Sequence, residues 1–224
     1  MLPARCDGRY DCNYGPARGL GWQCDGNATV CPFLAESAAA MRGFVDAFGG
    51  GRPVWMSELC YASEFGDYSP SRGCPALPRY DFQDAMQWGA MLFADFNVVG
   101  ASGWLYWNLI LDPSGGPWLS SPEHNDPDPN PQQPVIIVDP AADAFALTGV
   151  YYALAHFGAR FVPPGAVRLG LTPARLPPSV SASAFLVSAA EPGAAGGSRR
   201  VTVVAMNNDP TAAVALQLRL AGGG

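Results

Sequence analysis

Two short apolar runs, Val54-Trp55-Met56-Ser57-Glu58 and Gly103-Trp104-Leu105-Tyr106-Trp107-Asn108, flank a segment of helical period, and this order restricts the fold more than any other feature of the chain. Each run has the length of a buried strand. Between them, Phe82, Ala85, Met86, Gly89, Leu92, Phe93 and Phe96 share one face of residues 81–98, with Asp81 as a cap and Gly100 as a stop. Strand, helix and strand in succession are the pattern of neighbouring parallel strands in a (β/α) barrel. Such barrels do their chemistry at the C-terminal ends of the strands, where Glu58 and the Trp107-Asn108 pair fall. A carboxylate facing a Trp-Asn pair suggests a sugar site. Taken alone, Glu58 reads as a solvated acid where a strand meets a loop, and Trp107 as ordinary barrel packing.

Around this unit the chain changes character several times. Residues 1–31 are rich in Gly, Cys and Asp and read as loop. Pro32 suits a first helical position, and Leu34, Ala38, Met41, Val45 and Phe48 continue at helical spacing up to Gly49-Gly50-Gly51. A strand over 53–58 follows, and the second apolar run predicts one strand over 103–111. From Asp112 to Pro134 the chain is a long loop, in which Asp126-Pro127-Asp128-Pro129-Asn130-Pro131 prevents regular structure. A last helix is expected near 143–158. Beyond about Phe161 the period changes to two, with strands expected at 166–171, 180–188, 199–206 and 213–221; the last is the clearest, through Val214, Leu216, Leu218 and Leu220. The change of period sets a domain boundary near residue 160, giving units 1–160 and 161–224.

The 224 residues, 49% hydrophobic and 11% aromatic, can bury a sizeable core. Thirteen basic against 19 acidic residues leave a net charge of -6 with no basic run, which argues against nucleic acid as a partner. An acidic balance suits an acidic compartment, and suits plain colloidal solubility equally. No stretch approaches the roughly 20 apolar residues of a membrane span, and nothing in the first residues of this sequence resembles a secretory signal. All six cysteines, Cys6, Cys12, Cys24, Cys31, Cys60 and Cys74, nevertheless lie in the first third, and Asn27-Ala28-Thr29 is a glycosylation sequon. Both features point to an oxidising compartment. Local links Cys6 to Cys12, Cys24 to Cys31 and Cys60 to Cys74 are the expected pairing among many permitted ones. Zinc is the competing reading, but no Cys-x-x-Cys occurs and His124 and His156 stand far from the cysteines. Glu123, Asp126 and Asp128 lack the spaced ligand loop of a calcium site. Neither a metal nor a cofactor is expected.

Taken together, Trp55-Met56-Ser57-Glu58-Leu59-Cys60, the run from Gly103 to Asp112, Gly115-Gly116-Pro117, Pro134-Val135-Ile136-Ile137-Val138-Asp139 and the segment from Tyr151 to Arg168 closely resemble glycoside hydrolase family 30. This is the family of the glucosylceramidases. The resemblance covers roughly residues 54–170, as five blocks in order. It implies the C-terminal part of a (β/α)8 TIM barrel, contributing the seventh and eighth strands, followed by an antiparallel β-sandwich, both incomplete. A whole barrel needs eight strand-helix units and about 250 residues, so an N-terminal barrel portion is expected outside this chain, and Met1 is not expected to be the natural start.

By the same resemblance Glu58 is the nucleophile of a retaining β-glycosidase, and Trp107 and Asn108 contact the sugar. His124 and Asn125, in the loop after Gly115-Gly116-Pro117, could reach sugar hydroxyls or could be solvated turn residues. The family's acid/base lies in an Asn-Glu pair, and no Asn-Glu occurs in this sequence. Glu64 and Asp67, the nearest acids to Glu58, are expected to be solvated loop residues rather than its replacement, and His156 a hydrogen-bonded core histidine. Tyr106 and Trp118 depart from the pattern of the animal glucosylceramidases, which makes the reaction class firmer than the substrate.

The resulting expectation is a β-glycosidase fragment acting on glucosylceramide or a similar β-glucoside, secreted or lysosomal or vacuolar, inactive by itself. Its partners would be a glycoside or glycolipid substrate, including lipid at a membrane surface. The rivals are a family 30 enzyme for β-glucan or xylan chains and a non-catalytic secreted carbohydrate-binding module. In the latter, Trp107 and Trp118 would form the sugar platform and Glu58 would be incidental.

Overall fold

A computed structural model of the chain describes residues 32–59, 82–117, 132–171, 176–177, 179–189, 198–209 and 211–219. Helix α1 (Pro32–Phe48) leads to strand β1 (Val54–Leu59) and helix α2 (Phe82–Ala94) to strand β2 (Ala101–Tyr106). Strands β1 and β2 pair in parallel, with Val54 opposite Ala101 and Leu59 opposite Tyr106. The expected strand-helix-strand unit is therefore present. Its burial is wider than the single face read from the sequence: of that face Gly89, Leu92 and Phe93 are buried but Phe82 is exposed, and Trp88, Ala90 and Met91, which lie off it, are buried as well, with Val54, Met56, Trp104 and Tyr106 packing against this cluster from the two strands. Trp88 meets Tyr106 edge-on at 4.9 Å and Trp104 at 6.1 Å, geometries that the ring quadrupoles favour.

Two details of this unit differ from the expectation. Helix α2 widens at its end into a π-helical turn, Asp95–Val99, closed by the Gly100 N–H donating to the carbonyl of Asp95. Gly100 then takes φ 77°, the left-handed conformation that glycine enters without steric cost. The Arg42 guanidinium of α1 donates to the Val99 carbonyl at 2.7 Å and pairs with Asp46, tying α1 to this turn.

The second apolar run is not one strand but two. It breaks at Trp107-Asn108, whose peptide bond is cis, before β3 (Ile110–Leu111). The backbone partners explain the break. Trp107 N–H still donates to Leu59 of β1, whereas the Asn108 and Leu109 carbonyls accept from Val135 and Ile136. The chain thus passes from one sheet to another at this pair.

The second sheet holds β3, β4 (Ile136–Asp139) and β5 (Ala144–Leu147), with β3 parallel and β5 antiparallel to β4. Here the expected helix over 143–158 is corrected. Asp139 accepts N–H bonds from Ala141 and Ala142 and Asp143 takes φ 49°, so the chain turns back as a hairpin, and residues 144–147 pair with β4 instead of coiling. Helix α3 begins only at Gly149 and runs to Phe157; the preceding Thr148 is buried, with its hydroxyl bonded to the Pro134 and Val135 carbonyls.

Strands β6 (Val167–Leu169), β7 (Val180–Ala189) and β8 (Ser198–Asn207) form a third, antiparallel sheet. The fourth period-two run, expected over 213–221, forms no strand among the described residues, where Leu216 and Leu218 are exposed. One three-stranded sheet is thus what the described residues show of the expected sandwich. It packs on the helices through Phe93 of α2, Phe157 of α3, Phe185 of β7 and Val204 of β8. The Asn97 side chain adds two bonds, accepting from the Ser183 hydroxyl at 2.7 Å and donating to the Ala182 carbonyl at 3.0 Å. An apolar cleft of about 620 Å³ lies between α2, α3 and β8 and includes no candidate site residue.

Candidate functional site

Alternation along β1 aims Val54 and Met56 at the helices and Trp55 and Ser57 at the opposite, open face of the sheet. Strict alternation would turn Glu58 back toward the helices. It does not, because the pairing with β2 is irregular between Met56 and Leu59, and Leu59 is again buried in the helix-side core. The irregularity has the effect of a β-bulge, which re-aims a side chain without moving the strand: both Ser57 and Glu58 are exposed, and Glu58 reaches the C-terminal end of β1 as a solvent-facing carboxylate.

The end of β2 lies directly alongside. Trp107 N–H bonds to the Leu59 carbonyl at 2.9 Å, which makes Trp107 the neighbour in the ladder of the residue after Glu58. Trp107 has the parity of Gly103 and Leu105 on the open face, and its ring is 50% exposed. Gly103 leaves room there for the Trp55 ring, whose atoms come within 3.0 Å of where a β-carbon would stand. Trp104 and Tyr106 have the opposite parity and sit in the core, Tyr106 donating its hydroxyl to the Gln133 carbonyl at 2.8 Å.

The sequence did not single out Gln132, yet the structure brings it to the same place. Its Oε1 accepts the Trp107 indole N–H at 3.1 Å and also an N–H of the Asn108 side chain. Its own backbone N–H donates to the Gly115 carbonyl at 3.0 Å. Gly115 belongs to a tight loop organised by Asp112, whose carboxylate accepts from the Ser114 hydroxyl and from the Ser114 and Gly116 N–H groups. These bonds, Ser114's first, hold the Asp112 carboxyl below the usual carboxylate range. The Gly115-Gly116-Pro117 block therefore acts as the base on which Gln132, and through it the Trp-Asn pair, is set.

Of the predicted site residues, Glu58, Trp107 and Asn108 come together at adjacent strand ends. His124 and Asn125 lie outside the described residues, as do Glu64, Asp67, Trp118, the three acids considered for calcium and all six cysteines with their expected pairings. His156 is corrected: it is hydrogen-bonded, with Nδ1 2.6 Å from the Tyr152 carbonyl, but it is exposed and not a core residue, since α3 buries Gly149, Val150 and Ala153 instead. Among the described residues no group of three His, Cys, Asp or Glu side chains is arranged to hold a metal ion, and no helix is long and apolar enough to cross a membrane. Chemically, the arrangement offers a carboxylate beside an open indole face and a positioned amide, which suits a polyhydroxylated ring with one apolar side.

Residues 55–162 match the TIM-barrel domain of glycosyl hydrolase family 30. The lysosomal acid glucosylceramidase of Mus musculus is 31% identical over 119 residues, which are 53% of this chain and 20% of that protein. Putative glucosylceramidase 3 of Caenorhabditis elegans is 30% identical over 152 residues, 67% of this chain and 24% of its own length. The chain therefore spans less than a quarter of these curated relatives. Among solved structures, a conserved exported protein from Bacteroides fragilis aligns with a TM-score of 0.49 at 16% identity, covering 79% of this chain and 32% of that one.

Proposed function

Through residues 55–162 the chain is glucosylceramidase-like and of glycosyl hydrolase family 30, and from that premise we propose that it forms the nucleophile side of a retaining β-glycosidase site, with Glu58 as the nucleophile. The observation that carries this reading is the irregular end of β1, which presents Glu58 on the open face one strand from the half-exposed Trp107. A nucleophilic carboxylate must stand free of the core and beside the ring it attacks.

In the proposed reaction the Glu58 carboxylate attacks the anomeric carbon and the leaving oxygen departs with a proton, giving a covalent glycosyl-enzyme. Water then attacks that carbon and releases the carboxylate. The two carboxyl groups of a retaining site stand about 5 to 5.5 Å apart, and the second one is proposed to come from polypeptide outside these 224 residues, because the sequence holds no Asn-Glu pair. Trp107 would lie against the C–H side of the pyranose and Asn108 against a hydroxyl. The names of the relatives favour glucosylceramide as substrate and a lysosomal or secretory setting. Units 1–160 and 161–224 would be barrel and sandwich portions.

Active-site labelling tests this. In the protein as expressed from its native gene, a cyclitol-epoxide inactivator is expected to esterify Glu58, found by peptide mass spectrometry, and Glu58→Gln is expected to lower turnover of an aryl β-glucoside by orders of magnitude. Labelling at Glu64 or Asp67 would reject the assignment. Sugar binding with no labelling and no turnover would favour the carbohydrate-binding reading instead.

A further inference from the structure

Trp107 and Asn108 are oriented by one shared acceptor, and we propose that Gln132 is a positioning residue that sets which atom Asn108 offers to the sugar. This rests on the sugar-site reading and extends it to the polarity of recognition. The Gln132 Oε1 has two lone pairs, and the Trp107 indole N–H and the Asn108 amide N–H occupy both. An Asn108 side chain that gives its N–H to Gln132 turns its carbonyl oxygen away, and no described residue is bonded to that oxygen. The carbonyl oxygen is thus left to the ligand as an acceptor beside the second amide N–H, and the partner of that oxygen is a donor such as a sugar hydroxyl. The same bond to Trp107 fixes the indole by its edge, leaving the ring face open.

Two features make Gln132 suited to this. Its backbone N–H is bonded to Gly115, and the following residue, Gln133, is fully buried and accepts the Tyr106 hydroxyl. The backbone at 132–133 is therefore held both by the Asp112 loop and by the end of β2. The side chain then needs little further ordering to hold its oxygen between the two donors, which is the condition for a precise binding group. Glutamate at this position could accept the same two bonds. Methionine has the same length, and its thioether is at most a weak acceptor.

The test compares Gln132→Glu and Gln132→Met with the wild type, in the protein expressed from its native gene. Binding of 1-deoxynojirimycin and the kcat and KM for an aryl β-glucoside are measured, with the thermal midpoint as a control. Gln132→Met is expected to weaken inhibitor binding and raise KM about tenfold, the size of one lost hydrogen bond to a ligand, with kcat within about threefold. Gln132→Glu is expected to restore both to within about threefold of wild type. Inhibitor binding by Gln132→Met as tight as wild type overturns the proposal, and so does a Gln132→Glu protein as impaired as Gln132→Met. Should Gln132→Met fail to fold, Asn108→Asp serves: two acceptors then face each other across the Gln132 contact, and unchanged inhibitor binding in that variant overturns the proposal. Wild-type protein that is labelled at Glu58 while Gln132→Met is unaffected removes the role of Gln132 alone. Wild-type protein with neither labelling nor inhibitor binding removes the sugar site itself.

Discussion

Asp95 is an acid placed where few acids are found: 6% exposed, in the π-helical turn, with its Oδ2 accepting the Trp104 indole N–H at 2.7 Å. Burial raises its pKa to about 6 from 3.8, and the Trp104 bond offsets only part of that rise. The consequence for stability has a definite sign. A carboxyl whose folded pKa exceeds its unfolded value contributes fully below the unfolded value and loses that contribution as pH rises through the folded one. The interval from 3.8 to about 6 corresponds to about 3 kcal/mol, fully present below about pH 3, mostly kept at pH 4 and almost all lost by pH 7. Mild acid would therefore tighten the helix side of the same strand whose end carries Trp107. Asp95→Asn keeps an acceptor for Trp104 and removes the charge. Urea unfolding of the protein expressed from its native gene should show this variant gaining on the wild type by about 2 to 3 kcal/mol between pH 4 and pH 7. Equal pH dependence in the two proteins would show that Asp95 is ionised at no cost in the folded state.

Elements here are joined by few but specific contacts, and the Asn97 side chain is the clearest. It takes the hydroxyl of the buried Ser183 and gives its own N–H to Ala182, linking the π-helical turn to β7. Asn97→Ala leaves a buried hydroxyl without its acceptor and should cost about 1 to 3 kcal/mol in urea unfolding. A loss below about 0.5 kcal/mol would mean that solvent replaces both bonds. That link was not legible in the sequence, because Asn97 falls on the same periodic stretch as Phe93 and Phe96 and carries no sign of a distant partner. That α2 is a helix was legible from its spacing, but its burial was legible only in part: from Trp88 to Phe93 every residue is buried, whereas Phe82 of the expected face is exposed. The hairpin at 139–147 was not: Ala144-Phe145-Ala146-Leu147 favours a helix locally, and the turn is made by Asp139 bonds that no periodicity records. Nor was the break at Trp107-Asn108, where the apolar run continues unbroken and only the change of backbone partner ends the strand. Within the site, Glu58, Trp107 and Asn108 stood inside recognisable blocks. Gln132 stood beyond a proline-rich loop, and only the fold brings it to them.

At the scale of the molecule, the described residues support one face of the parallel pair and not the other. Met56, Trp104 and Tyr106 pack on α2, whereas Trp55 is 66% exposed and Leu105 47% exposed on the opposite face. Among the described residues strands β1 and β2 pair only with each other, so each also presents an outer edge of backbone groups there. Parallel strands are ordinarily covered on both faces, and unpaired edges invite association. The same open face carries Glu58 without a second positioned carboxyl beside it among the described residues. A positioned general acid is typically worth about 10² to 10⁴ in rate. We therefore expect the 224-residue chain, expressed by itself, neither to unfold cooperatively as a monomer nor to hydrolyse an aryl β-glucoside. Circular dichroism is a poor test, since β7 and β8 pair locally and would keep a strand signal whatever becomes of the rest. Sedimentation velocity, thermal unfolding and turnover are better. Self-association, or a broad transition without turnover, is the expected result. A sharp transition from a monomer, together with turnover abolished by Glu58→Gln, would show that these residues already contain everything the site requires.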